Sequence, residues 1–348
     1  MTLTEVSFYT RKMLPFFILI FMVFLILIYS VKLFFAYLDA SKPHVVYTNP
    51  IFNKITKPLL VDASSSAGLN FALDTIEGQP LTASEAAKVY LLPQVVARFG
   101  YAEKINLMAK TFGINTALIK YKMVDNDATF NDEKQKLIID KTNFNFRYEY
   151  NFVKFPEVFT NTKIPSETEI QNKAIDFLKK IGRYPDELAT GKSNIVYLNY
   201  DSSQTNFVVT SRPTEANVVE IDFYRPDMDG FSTVSPSYPN SQNYLVMAVN
   251  DAGMQVLRGQ IRFFDKSTEQ VGVYPLKTGD VAWEELKAGK GTIISGSKNI
   301  TNVTIKNMFT AYFDPDVFQL YLQPVYVFLG SDNFAAIVPA VDDSFLTE

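Results

Sequence analysis

Near the C-terminus the chain reads LYLQPVYVFLGSDNFAAIVPAV, from Leu320 to Val341. Taken as one segment, this run approaches the roughly 20 apolar residues that cross a bilayer as a helix. Taken as two, it is a hairpin in the core of a folded domain. Leu320 to Leu329 is interrupted by Gln323-Pro324, and Gly330-Ser331-Asp332-Asn333 separates it from Phe334 to Val341. Gly and Asn accept positive φ, and Asp bonds its own backbone, so these four residues are turn chemistry. The β-rich runs on either side predict a hairpin, neither half of which reaches a span. Pro324 and Pro339 each remove a ladder donor and belong at an edge or at a strand terminus.

The N-terminus reads differently. Met13 to Val31, MLPFFILIFMVFLILIYSV, contains no charge and matches the length of a spanning helix. A cleavable signal has a shorter apolar region ending at an Ala-x-Ala-like site; only Ala36 and Ala40 hint at one. Arg11 and Lys12 precede the run, so the positive-inside rule keeps the first dozen residues in the cytoplasm and exports the rest. Lys32 beyond the run can snorkel to the outer interface. The expectation is a single pass through the cytoplasmic membrane, with residues 13–38 in lipid and no second span. The anchor lacks a small-xxx-small pattern, so tight helix dimerisation by that route is not indicated.

Composition narrows the chemistry of the remainder. The chain has 348 residues, 47% hydrophobic and 20% charged, with a formal net charge of −4. Residues 1–38 hold Arg11, Lys12 and Lys32 against Glu5, which leaves 30 basic and 36 acidic groups in residues 39–348, a net −6. That balance is not built to neutralise phosphates, and no nucleic-acid partner is expected. Cysteine is absent and His44 is the single histidine. Disulfides, thiolate nucleophiles and thiolate zinc sites are therefore excluded, and Ser-His-Asp machinery and multi-His metal sites nearly so. No cofactor is expected.

Periodicity gives the expected order of elements. Residues 39–57, with two prolines, read as a stalk. Leu69 to Ile76 and Val89 to Leu92 read as strands, and Tyr101 to Phe112 as a helix with Ile105, Met108, Ala109 and Phe112 on one face, ended by Gly113. Strands follow at Ala117 to Val124 and Lys136 to Ile139, flanking a polar stretch from Asp125 to Glu133. Phe144 to Phe152 alternates aromatic with polar residues, the pattern of a half-buried strand. A second helix, Ser166 to Ile181, opens with an N-cap serine and first-turn acids and closes at Gly182. Short strands are predicted at Asn194 to Tyr200, Val218 to Tyr224, Tyr244 to Asn250 and Gln260 to Asp265. A third helix spans Thr278 to Ala288, followed by Gly291 to Ser295, Thr304 to Ala311 and the hairpin. The expected fold is α+β: an N-terminal transmembrane helix, then extracytoplasmic units of a helix packed on antiparallel sheet. The boundaries read as 1–12 tail, 13–38 anchor, 39–57 stalk, 58–160 first unit, 161–270 second unit and 271–348 C-terminal module.

Within that last module, Tyr274-Pro275-Leu276, Ala282-Trp283-Glu284-Glu285-Leu286, Gly289-Lys290-Gly291 and Leu320 to Phe328 resemble the C-terminal module of YycH/YycI-type regulators and PepSY-like domains. The resemblance covers about the last 75 residues and rests on structural positions. It implies a bacterial single-span protein whose exterior domain modulates a sensor kinase or binds an envelope partner.

Candidate sites are few. Asp125 to Glu133 places oxygen ligands at alternate positions, but lacks the glycine and glutamate of a calcium loop, and reads as a solvated loop. Arg225-Pro226-Asp227-Met228-Asp229-Gly230 sets Arg225, Asp227 and Asp229 after a strand, where they would meet a partner's charges or simply form a polar turn. The aromatic stripe of Phe144, Phe146, Tyr148, Tyr150 and Phe152 would pack a core or, through Tyr148 and Tyr150, touch a partner. Trp283 is read as anchoring the third helix against the hairpin that carries Pro324 and Tyr326. Asn299 and Asn302 match glycosylation acceptors, which have meaning only in a eukaryotic secretory route. The favoured function is a non-enzymatic, membrane-anchored interaction or regulatory protein that binds another membrane or envelope protein. The alternative is an anchored hydrolase using paired carboxylates on wall polymer or glycan.

Overall fold

A computed structural model describes the backbone of residues 3–40, 47–61, 64–81, 84–250, 253–297 and 300–347; side chains of residues 3–12, 36 and 38–40 are not described. Two compact units result, residues 1–46 and 47–348.

The first unit holds one long helix, α1 (Leu3–Ala40). Its segment Met13–Phe35 has a mean hydropathy of 2.8 and no buried side chains. That segment is long and apolar enough to cross a membrane, and a signal sequence would meet the same description. The Arg11 and Lys12 side chains, His44, Asn299 and stalk residues 41–46 lie outside the described residues.

The second unit is mostly sheet. Along the chain it begins with β1 (Ile55–Thr56), β2 (Ser64–Ser65), β3 (Asn70–Leu73) and β4 (Ala86–Leu91). Helix α2 (Tyr101–Thr111) follows, then β5 (Lys122–Val124), β6 (Asp127–Asn131), β7 (Gln135–Asp140) and β8 (Phe146–Tyr150). Next come α3 (Glu167–Lys180), α4 (Asp186–Thr190), β9 (Ser193–Asp201), β10 (Asn206–Val209), β11 (Val218–Phe223) and β12 (Ser232–Val234). The remainder is β13 (Tyr244–Asn250), β14 (Gly253–Ile261), β15 (Val271–Pro275), α5 (Gly279–Lys287), β16 (Thr292–Ser295), β17 (Asn302–Phe313), β18 (Tyr321–Leu322), β19 (Pro324–Gly330), β20 (Ala335–Pro339) and β21 (Leu346–Thr347).

The opening run is a hairpin, β19–β20, inside a seven-stranded sheet ordered β12-β17-β19-β20-β16-β2 with β3 also on β17. Its reversal uses Asp332 and Asn333, at φ 56° and 57°, the two positive angles that a two-residue hairpin turn demands. The Phe334 N–H donates to the Ser331 carbonyl at 3.0 Å. Both faces of the hairpin are covered. Tyr326 and Phe328 enter the core shared with α5, while Val325 and Val327 enter a second core with Val234, Phe313 and Ile337.

A nine-stranded antiparallel sheet, ordered β10-β9-β11-β13-β14-β8-β7-β6-β5, forms the other half. Helices α2, α3 and α4 cover one of its faces through Ile105, Met108, Ile170, Leu178 and Leu188. Their ends follow the sequence cues. Ser166 Oγ accepts from Glu169 N–H at 3.4 Å, and Gly182 at φ 68° lets Arg183 N–H reach the Leu178 carbonyl at 2.8 Å.

Several boundaries differ from those read in the sequence. The cut at 160/161 would split one sheet, because β8 pairs with β14. The start of the first unit belongs instead with the C-terminal half, where β2, β3 and β4 pair with β16, β17 and β15. Residues 47–57 are not a free stalk: Asn49 bridges to Val273, and β1 pairs with β21. The stretch Asp125 to Glu133 is not a loop, for it contains β6, whose Ala128 and Phe130 are buried. From Ala117 to Val124 only β5 is strand, and from Gln260 to Asp265 only the end of β14. Pairing is also mixed, since β12 and β3 run parallel to β17. The corrections to the unit boundaries share a cause: the pairing partners lie more than a hundred residues apart, where local periodicity carries no information.

Candidate functional site

Four connections pass between the two halves of the 47–348 unit: residues 92–100, 224–231, 235–243 and 262–270. The last three of these meet around Arg225, whose side chain is fully buried. Nε donates to Asp314 Oδ1 at 2.8 Å, Nη1 to Glu187 Oε2 at 2.9 Å and Nη2 to the Phe264 carbonyl at 2.7 Å. The guanidinium lies 4.0 Å over the Phe263 ring, and Gln242 Nε2 donates to the second Asp314 oxygen at 2.8 Å. Burial pushes the Asp314 carboxyl up, against the pull of Arg225. Lys266 also pairs with Glu187. Asp314 follows β17 and Glu187 lies in α4, so one arginine joins both halves with its planar fork.

A second polar knot lies beside it. Asp229, at φ 51°, accepts from Lys88 Nζ at 2.6 Å, from the Tyr90 hydroxyl at 2.5 Å and from the Tyr312 hydroxyl at 3.0 Å. Burial acts to raise the Asp229 carboxyl, but these three hydrogen bonds outweigh it and hold it below its ordinary value. Burial and the same carboxylate push both tyrosines up. Asp227, two residues earlier, faces away and pairs with Lys192 at 3.2 Å. The two acids therefore do not form a site together.

Between the halves a cleft of about 340 Å³ is lined by Pro93, Val95, Val96, Phe264 and Phe318, with Asp140, Lys141 and Asp265 supplying charge. The strap of residues 92–100 forms one wall. It exposes Val96 at 73% and, just beyond the lining, Phe99 completely. Beneath the opposite side lies a second buried arginine, Arg183, whose partners are neutral: Asn145 Oδ1 at 2.5 Å and the Phe263 carbonyl at 2.6 Å. Burial pushes Arg183 down to about 10, with Asp265 and Asp140 opposing. An apolar wall, a few charged groups and a position between two structural halves are features this cleft shares with ligand clefts in general. Among the described residues no group of three or more His, Cys, Asp or Glu is placed to hold a metal ion.

The sequence-nominated residues scatter. Arg225 is a buried structural pin and not a surface contact. Tyr148 is likewise unavailable to a partner, since it is 1% exposed under α2, its hydroxyl donating to Gln135 at 2.8 Å. Tyr150 is half-buried at the rim of a different cleft, with Phe152 and Arg258. Trp283 contacts Phe328 and Phe71, at centroid distances of 6.2 and 6.3 Å. Pro324 opens β19 opposite Tyr312. Tyr326 is fully buried, its hydroxyl donating to the Lys277 carbonyl at 2.5 Å. Lys32 is exposed, 6.0 Å from the Tyr29 ring. Sequence reading missed the strap, whose PQVVARFG has neither helical nor strand period, although three large apolar residues between Pro93 and Gly100 were a signal.

No protein-family model matches this chain, and no curated protein is significantly similar to it. The chain is similar to a crystal structure of an uncharacterized protein from Eubacterium rectale ATCC 33656, with a TM-score of 0.35 and 12% identity over 81% of this chain and 90% of that one.

Proposed function

We propose that this chain is a single-pass membrane-anchored binding protein, non-enzymatic, whose 47–348 unit stands outside the cytoplasm and receives an extended apolar segment of another envelope or sensor protein. The observation that carries the reading is the strap, which displays Val95, Val96 and Phe99 beside the cleft between the two halves. Exposed apolar groups next to a concave surface mark interaction sites. The charges of Arg11 and Lys12 favour an inside N-terminus, and a cysteine-free exterior suits an oxidising surface. Tethering by Met13–Phe35 raises the effective concentration against a neighbouring membrane protein, so modest affinity suffices. The resemblance of the last 75 residues to YycH/YycI-type regulators points the same way.

A hydrolase needs two acids facing one open space. Asp222 is pushed up to about 7 by burial and by Glu220, but it is fully buried, and Glu220 lies beside it on the same strand. That pair does not favour the hydrolase.

The test is a photoreactive residue at position 96 of the full-length chain in intact cells. Capture of one defined membrane protein, lost when Phe99→Asp is added and in a chain whose anchor is replaced by a cleavable signal, is expected. Capture of no protein, with retention on purified wall polymer, would transfer the reading to the hydrolase.

A further inference from the structure

A cluster of Lys277, Glu285 and Asp343 lies between β15, α5 and the C-terminal segment. We propose that Lys277 and Asp343 become joined there by an intramolecular isopeptide bond, with Glu285 carrying the protons.

The Lys277 amino group is held among acids, its side chain 3% exposed. Nζ donates to Glu285 Oε2 at 2.8 Å and to Asp343 Oδ1 at 2.7 Å. The main chain around it is fixed on both sides. Lys277 N–H donates to the Ala340 carbonyl at 2.9 Å, and its own carbonyl accepts from the Tyr326 hydroxyl. Asp342 N–H, adjoining Asp343, reaches the Pro275 carbonyl at 3.0 Å. The Asp343 carboxyl carbon is thus one bond beyond an oxygen already touching the amine, close to the roughly 3–3.5 Å of a near-attack arrangement. Lys290 lies 3.5 Å from the other Glu285 oxygen, so Glu285 has a cation on each side.

The ion pair is the resting form. The hydrogen bond from Lys277 holds Asp343 below its ordinary value, with burial opposing. Reaction begins when a proton passes from Nζ through Glu285 to Asp343, giving the neutral amine and neutral acid that condensation requires; the Lys277 side chain is 3% exposed and that of Asp343 59%. The Nζ lone pair then attacks Cγ. Glu285 takes a second proton from nitrogen and returns it to the departing hydroxyl. One C–N bond forms, one C–O bond breaks, and water leaves. An ammonium and a carboxylate have become an amide and water, with no oxidant or cofactor consumed. A cleft of about 530 Å³, lined by Lys57, Pro58, Thr292, Leu346 and Thr347, gives that water an exit. In a chain without cysteine, the amide is a crosslink that reductants leave intact.

Intact-mass measurement and tryptic mapping of the full-length chain, purified in detergent, test this. A mass about 18 Da below the sequence value, with a branched peptide joining Lys277 to Asp343, is expected. Full mass after prolonged incubation, or an 18 Da loss with only linear peptides, overturns it, and both readings are made on the unsubstituted chain. Glu285→Gln and Asp343→Ala chains should run at full mass. A branched peptide surviving in Glu285→Gln would overturn the proton-carrier role.

Discussion

Strands β8 and β19 both carry alternating aromatic residues, yet they are buried in opposite ways. In β8, FRYEY, Phe146 and Tyr148 enter the helix-covered core while Arg147 and Glu149 face solvent, paired at 2.7 Å. In β19, PVYVFLG, the first five residues are buried on both faces. The contrast follows from neighbours. The nine-stranded sheet has helices on one side, and its far side carries Glu220, Asp222, Arg258 and a small apolar cluster around Phe152 and Leu198. The seven-stranded sheet packs a core on each side, and a strand in such a place must be apolar at every position. A continuous apolar run and a strict alternation are thus two forms of one rule.

The largest test of that difference is Phe328→Ala. It removes a fully buried ring and should lower stability by about 3–5 kcal/mol, read by denaturation of the 47–348 unit with Trp283 fluorescence. A loss near zero would mean that the face of β19 turned toward α5 is not closed. Arg225→Ala tests the seam between the sheets. It strands Asp314 and Glu187, both largely buried, and should cost about 3–5 kcal/mol, whereas Asp227→Ala beside it should change stability by about 0.5 kcal/mol or less.

On the face of the nine-stranded sheet away from the helices, the buried Asp222 carries a pH signature. Its folded value, about 7, lies above its ordinary 3.8, so the folded state keeps a proton that the unfolded state has released. Stability is then greatest at acidic pH and falls as pH rises from roughly 4 through 7. Asp222→Asn should flatten that slope and add on the order of 2–4 kcal/mol at pH 8; an unchanged slope would show that another group sets it. A small effect, like that of Asp227→Ala, belongs to Glu149→Ala, whose partner Arg147 is solvent-exposed. Its thermal midpoint should move little, the pair being worth roughly 0.2–1 kcal/mol.

Much of the fold was legible in the sequence because its determinants are local. Ser166, Thr278, Gly182 and Gly289 mark helix ends by their own chemistry, and the turn at Asp332-Asn333 separates two strands that the apolar count alone would have fused. What was not legible depended on partners far along the chain. Nothing near Arg225 announces Asp314, 89 residues away, so a buried pin looked like a surface charge. Nothing in Tyr148 distinguishes a core ring from a binding ring until α2 is laid over it. Nothing near Lys277 announces Asp343, 66 residues away.

The pairing of β1 with β21 has a consequence in time. Thr347 donates its hydroxyl to the Ile55 carbonyl, 292 residues away. At a synthesis rate of roughly 5–20 residues per second, Ile55 emerges about 15–60 s before its partner. During that interval the core containing Ile55, Leu346 and Tyr326 has no complete form. A nascent chain must leave Ile55 unpaired until Leu346 and Thr347 arrive, so this edge stays open while the intervening chain is made.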